Sequence, residues 1–556
     1  MAHIDLTAAP FNLDDDAMAW VSTTLAGLGP RDKLAQLFVL MVRGAPESFL
    51  DSVLRFKPGG ITRVFTPDLE SEIGLARDLM SGSAIPPLIS ADLEGSRMSL
   101  PFGTAVPNPL GLAAADDVAA TEAIATIMAR EAHAVGLNWS FTPVVDINAA
   151  FKSAIVGTRS YGSDVDRIER HALAQIAAFQ VNDVAATVKH WPGEGFDDRD
   201  QHLVTTVNPL SFAEWDAKFG RLYRAAIEAG VLAVMAGHIA FPAFVRQLDP
   251  EAGNEAFRPA SISAVLNQTL LRQRLGFNGL IVSDATAMAG LGDWGPRDVT
   301  LPEVISSGCD VILFSDDPDA DLMRLVSAIA DGRLTQERVD EAVTRILALK
   351  ARLGLHKAQL PPELETARAV LGDPASAITA RSVTGRVPTL VKDTQNLLPL
   401  SPERHRRVLV FTGDIVMPLA PGPVAFSVPE RLQREGFAVT LFTPGTTVNP
   451  RDFDLVLYLF GDETLLTRSS IFLDWMKLTG NLFGAMHRYW HEVPTLMISF
   501  GYPYYLYDAP RVKTYINAYG TAEPLQEAVV EALLGRTQWA GNSPVDAFCD
   551  SEQARY

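Results

Sequence analysis

The chain has 556 residues, too many for one ordinary domain, and 47% of them are hydrophobic, enough for large cores. A net charge of −19 and a pI near 5.0 weigh against nucleic acid or an anionic membrane surface as the main partner. Two cysteines, Cys309 and Cys549, supply neither a disulfide framework nor a cysteine metal cluster.

The first sixteen residues are acidic and lack a basic region followed by an apolar core, so no signal peptide is expected. No apolar run is long enough to span a bilayer, and the expectation is a soluble cytoplasmic protein. A leading helix and turn to about residue 30 are followed by eight short apolar runs. They lie at 36–42, 60–65, 87–92, 137–142, 184–189, 231–237, 279–283 and 309–314. Between them the spacing predicts helices, as at 116–135 and 168–182. Strand alternating with helix indicates a parallel sheet, and eight such units suit a (β/α)8 TIM-type barrel, with a doubly wound open sheet as the alternative. A helical tract at 336–353 follows, and Pro374 is placed to open a helix over 375–382.

From about residue 386 strand-like runs recur at 407–411, 438–442, 455–460, 495–500 and 514–518, with a helix at 524–534. They predict a smaller, sandwich-like α/β domain at 386–556 after a barrel at 1–375, with 412–429 and 502–507 as its irregular parts.

The run at 184–188 breaks at Pro192, Gly193 and Gly195 into a loop carrying six ionisable residues from Glu194 to His202. A charged loop of this kind is often only a solvated surface. Here Asp200 and His202 are two residues apart, so in an extended segment both side chains point the same way. A carboxylate beside an imidazole makes a general acid/base usable near neutral pH. Lys189 and His190, at the strand end, are placed to grip ligand hydroxyls. On the barrel reading Asp92, His238 and Asp284 also end strands, at the face where such folds hold their active sites. For each a plain role stands beside the functional one: an Asp there can be a helix cap, and His238 a packed histidine. A fixed carboxylate such as Asp284 facing an acid/base group is the arrangement of a retaining glycosidase.

The motifs KHWPGEG with Asp200-Gln201-His202, VSDATAM at 282–288, SADLEGSR at 90–97, FTPVVDIN at 141–148 and GTRSYGSD at 157–164 resemble those of glycoside hydrolase family 3. They are most similar to the bacterial β-N-acetylglucosaminidases of cell-wall recycling, in a two-domain form, and the resemblance runs across nearly the whole chain. It implies Asp284 as nucleophile, His202 as acid/base with Asp200 as partner, and Asp92, Arg159, Lys189 and His190 as sugar ligands. It implies no cofactor and no metal, a small carbohydrate as partner, and a second domain that completes the site wall, stabilises a homodimer or covers the barrel.

Three positions depart from the subgroup pattern: Ser96 replaces a glycine, Leu100 an arginine, and Glu194 a histidine. The missing guanidinium predicts a less polar sugar subsite and altered sugar preference. The alternatives within reach are a β-glucosidase using a glutamate from the second domain, a phosphorylase in which the neutral imidazole tolerates an incoming phosphate, and a non-catalytic sugar-binding protein.

Overall fold

The computed structural model describes residues 4–44, 47–357, 360–416 and 422–556. Eight strands form the first sheet: β1 Phe38–Arg43, β2 Gly60–Val64, β3 Leu88–Ala91, β4 Trp139–Ser140, β5 Thr187–Trp191, β6 Ala233–Ala236, β7 Leu280–Ala285 and β8 Val311–Leu313. Neighbours run parallel in the order β4-β3-β2-β1-β8-β7-β6-β5. The ring closes between β4 and β5 through bridges at Trp139–Ala185 and Val144–Lys189. All eight apolar runs of the sequence are strands of this barrel, and the open-sheet alternative falls. Their residues are almost wholly buried, as strands covered on both faces must be.

Helices between strands begin where short polar side chains can cap them. Asp117 accepts from Ala120 N ahead of Val118–Ala134, Asp164 from Arg167 N ahead of Val165–Val181, and Thr335 from Arg338 N ahead of Gln336–Arg352. At the opposite end of the barrel from the strand-end motifs, Asp310 precedes β8 and is buried among cations. It binds Arg272 at 2.7 Å and Arg338 at 2.7 Å, with Arg345 at 3.6 Å. Burial pushes this carboxyl up, but the three guanidiniums outweigh it and hold it below the usual carboxylate value.

The second sheet contains β9 Thr389–Asp393, β10 Arg407–Val416, β11 Ala438–Leu441, β12 Leu455–Asp462, β13 Thr495–Ser499 and β14 Thr514–Asn517. Its order is β9-β14-β13-β12-β10-β11, all parallel except β9 against β14. Two expectations are corrected here. Strand β9 was not foreseen, because TLVKD has only two strongly apolar residues. The segment 412–429, expected to be irregular throughout, continues β10 as far as Val416 and enters the helix Val428–Arg434, with 417–421 outside the described residues. The two sheets share buried contacts: Leu110, Ala114 and Ala154 of the barrel chain belong to the second sheet's hydrophobic cluster. No helix among the described residues is long and apolar enough to cross a membrane.

The Asp310 cluster yields a stability prediction. Asp310→Ala leaves three buried guanidiniums without their shared anion and is expected to cost about 3–5 kcal/mol in equilibrium denaturation. A loss under about 1 kcal/mol would mean the cluster is not held by this carboxylate.

Candidate active site

Strand β5 delivers Lys189 and His190 to the mouth of the barrel, both buried. Lys189 Nζ donates to Asp92 Oδ1 at 2.6 Å and lies 2.8 Å from Glu94 Oε1. Arg159 grips Glu94 through two parallel bonds, Nε to Oε2 at 2.9 Å and Nη2 to Oε1 at 3.0 Å. Burial raises the Glu94 carboxyl, but Arg159 and then Lys189 overcome it and hold the group well below its usual value. Burial lowers the Lys189 ammonium, and Asp92 and Glu94 more than restore it, so it titrates above the usual lysine value. This is a neutralised quartet of two cations and two anions, with Asp92 the more exposed of its carboxylates.

His190 adds a directed contact. Its Nδ1 lies 2.6 Å from Asp146 Oδ2, and its Nε2 lies 3.4 Å from Arg159 Nη2. A guanidinium only donates, so Nε2 accepts and Nδ1–H faces Asp146. Asp146 Oδ1 also accepts from the backbone N–H groups of His190 and Glu194, at 3.2 and 2.8 Å.

The loop after β5 is held by its glycines. Gly195 has φ +109°, and a Cβ there would lie 1.9 Å from Ile147 O. Asp200 and His202 do meet, but not through an extended segment. They form a turn in which Asp200 Oδ1 accepts from His202 N at 2.8 Å and faces His202 Nδ1 at 2.7 Å. An Asx-type turn brings a side chain to the residue two positions on. Asp200 is buried, and its other oxygen accepts from Thr467 N of the second domain at 2.8 Å. His202 is partly exposed, and with Nδ1 engaged by Asp200 its Nε2 is the nitrogen left for a ligand. The carbonyl of His202 accepts from Ala289 N at 3.1 Å, which packs this loop on the segment following β7.

Asp284 lies near the end of β7, partly exposed, with Oδ1 accepting from Ala285 N at 2.7 Å. Burial pushes its carboxyl up, but His190, His238 and His202 together outweigh that, and it titrates below the usual aspartate value. His238 is fully buried. Its Nε2–H donates to Ala285 O at 3.0 Å, and its Nδ1 accepts from Ser261 Oγ at 2.8 Å. Burial holds its pKa below the ordinary histidine value. It is the packed histidine of the two readings, and it fixes the backbone beside Asp284.

Glu94, Asp146 and Gln201 were not singled out from the sequence. All three lie inside motifs already noticed, where nothing in their spacing marks them. Gln201 links the loop to β6 by accepting from His238 N at 2.7 Å and donating to Glu194 Oε2 at 3.1 Å. Leu100 is buried in the barrel's hydrophobic cluster, its carbonyl accepting from Gly103 N. Asp146, His190 and Glu194 bring their ligand atoms within 4.8 Å of one another, a set able to hold a cation. Those donors are already committed: Asp146 to His190, and Glu194 to Gln201.

The barrel, the strand-end carboxylate and the Asp–His pair can be set against known proteins. Residues 31–349 match the family model for the glycosyl hydrolase family 3 N-terminal domain. The chain is 43% identical over 560 residues to a β-N-acetylglucosaminidase/β-glucosidase of Cellulomonas fimi, covering 98% of this chain and 99% of that one.

The chain belongs to glycosyl hydrolase family 3.

A second relative, the β-hexosaminidase LpqI of Mycobacterium tuberculosis, is 32% identical over 58% of this chain and 83% of its own. Among solved structures, β-glucoside phosphorylase BglX bound to 2FGlc superposes with a TM-score of 0.91 at 36% identity, covering 98% of this chain and 99% of that one. A family 3 β-N-acetylglucosaminidase from Paenibacillus sp. str. FPU-7 shares the fold with a TM-score of 0.80 at 24% identity, covering 94% of this chain and all of that one.

Glu194 gives the site's pH prediction. Burial first, then Asp146 and Asp200, raise its carboxyl well above the ordinary value of 4.5. The folded chain therefore holds a proton that the unfolded chain releases. Stability contributed by this group falls as pH rises from that ordinary value toward the raised one. Glu194→Gln removes the linkage, so its Tm relative to the parent is expected to climb as pH rises above 4.5. A Tm difference that stays constant or shrinks over that range would show Glu194 to be ionised in the folded enzyme.

Proposed function

We propose that this family 3 enzyme is a retaining exo-β-N-acetylglucosaminidase, releasing terminal N-acetylglucosamine from cell-wall or chitin-derived fragments through a glycosyl-enzyme. The observation that carries the reading is the Asp284 carboxyl at the end of β7, shifted below its usual value, beside an acid/base pair built from Asp200 and His202. The names of the Cellulomonas fimi and Mycobacterium tuberculosis relatives support the sugar class. The catalytic barrel is taken as 1–375 and the smaller domain as 386–556.

In the first step the Asp284 carboxylate attacks the anomeric carbon while the glycosidic C–O bond breaks. His202, protonated on both nitrogens, gives the Nε2 proton to the departing oxygen, and Asp200 at 2.7 Å from Nδ1 stabilises the imidazolium. In the second step neutral His202 takes a proton from water, whose oxygen displaces Asp284 and restores the carboxylate. Asp92, Arg159, Lys189 and His190 hold the sugar hydroxyls. With both cations balanced by Asp92 and Glu94, this pocket suits a neutral sugar better than a charged one.

The β-glucosidase alternative needs an acid from the second domain. A carboxylate from that domain does reach the barrel, Glu463, but its oxygens are committed. Oε1 accepts from Ser96 Oγ at 2.8 Å and Thr521 N at 2.7 Å, and Oε2 from Asn108 Nδ2 at 3.4 Å. Phosphorolysis is a second reading, favoured by the likeness to the β-glucoside phosphorylase and by an acid/base that is neutral when the acceptor arrives.

Two measurements follow. His202→Ala should slow alkyl glycosides by roughly 10²- to 10⁴-fold and activated aryl glycosides far less, since a good leaving group departs without protonation. Equal losses on both would make His202 a binding residue. Product analysis in phosphate and in a non-coordinating buffer of equal ionic strength should give free sugar at the same rate. Sugar 1-phosphate, formed faster with added phosphate, would move the enzyme to the second reading.

A further inference from the structure

Directly after β12, residues 463–467 of the second domain lie across the mouth of the barrel and bind it at four places. Glu463 receives Ser96 Oγ at 2.8 Å, Thr464 Oγ1 meets Thr158 Oγ1 at 3.1 Å, Leu465 N donates to Ala154 O at 3.1 Å, and Thr467 N donates to Asp200 Oδ2 at 2.8 Å. Ser96 is two residues from Glu94, and Thr158 is next to Arg159. The strap thus touches the supports of the sugar quartet at one end and the acid/base pair at the other. Its last contact is unusual: Thr467 is a β-branched residue at φ +61°, a conformation such side chains rarely adopt. The N–H that this conformation presents goes to a carboxylate that is itself buried.

We propose that the strap is a positioning element for the acid/base pair, acting through the backbone N–H of Thr467 on Asp200. Asp200 can rotate about its Cα–Cβ and Cβ–Cγ bonds. With Oδ1 occupied by His202 and Oδ2 by Thr467, the carboxylate plane is fixed from both sides, and the imidazole it orients is fixed in turn. The pair therefore lies on the barrel but is completed by the other domain. Ser96 fits the same picture. It occupies φ +49°, where the resembled motif has glycine, and its hydroxyl anchors the start of the strap on Glu463. The proposal rests on the reading of His202 as acid/base.

The test removes one hydrogen-bond donor. Replacing Thr467 by its α-hydroxy analogue converts the amide to an ester and leaves the side chain in place. The full-length ester protein is compared with Thr467→Gly, which keeps the N–H and tolerates positive φ. Each is assayed on an alkyl and on an activated aryl N-acetylglucosaminide. Expected for the ester is a fall in kcat on the alkyl glycoside of about tenfold, a small share of what general acid catalysis supplies, with KM little changed and the aryl glycoside nearly unaffected. Thr467→Gly should keep the parent's ratio of the two rates. Equal losses on both substrates, or no loss, would overturn the proposal. His202→Ala run alongside separates the two ideas: a leaving-group-dependent loss there but not in the ester refutes only the strap's role, and no such dependence in His202→Ala refutes the acid/base reading itself.

Discussion

A carboxylate buried at the mouth of this barrel must find a cation or donor beside it, or else bind a proton. Five carboxylates at this mouth, four of them buried, meet that requirement in different ways. Glu94 takes Arg159 and Lys189, Asp146 takes His190, and Asp200 takes His202 and a backbone N–H. Asp284 is surrounded by three histidines and titrates below its usual value. Glu194 has two carboxylates near it, Asp146 and Asp200, and is driven well above its usual value. Asp284 and Glu194 are thus pushed in opposite directions, one toward the ionised form that the proposed nucleophile needs and the other toward the protonated form.

The same constraint accounts for one departure from the family pattern. Glu194 stands where the resembled motif has histidine. With its carboxyl raised well above the usual value, Glu194 is shifted toward the uncharged form, the charge that a neutral imidazole would have there. Leu100 is a different case. It is buried in the hydrophobic cluster, so the loss of the arginine changes packing as well as any sugar contact.

The barrel was legible because its strands are short apolar runs separated by capped helices, a pattern that periodicity reads directly. The antiparallel strand β9 was not, since its polar Lys392 is satisfied by carbonyls distant in sequence, at Pro510 and Ala554. At the site, Asp200 and His202 were recognisable as neighbours because they are two residues apart, although a turn rather than an extended segment joins them. Asp146 and Thr467 were not recognisable. Each acts on a residue far along the chain, 44 positions for Asp146 and His190, 267 for Thr467 and Asp200. No local spacing carries such a contact. Arg159 was placed by resemblance to the family, and the structure shows its guanidinium held by Glu94.

In the proposed mechanism Asp284 forms a covalent bond to sugar and His202 does not. Incubation with a mechanism-based fluorosugar, followed by peptide mass spectrometry, tests this most directly. A glycosyl adduct on Asp284, absent from Asp284→Ala, is the predicted result. An adduct on Glu194, Glu463 or any other residue, with Asp284 unlabelled, would contradict it.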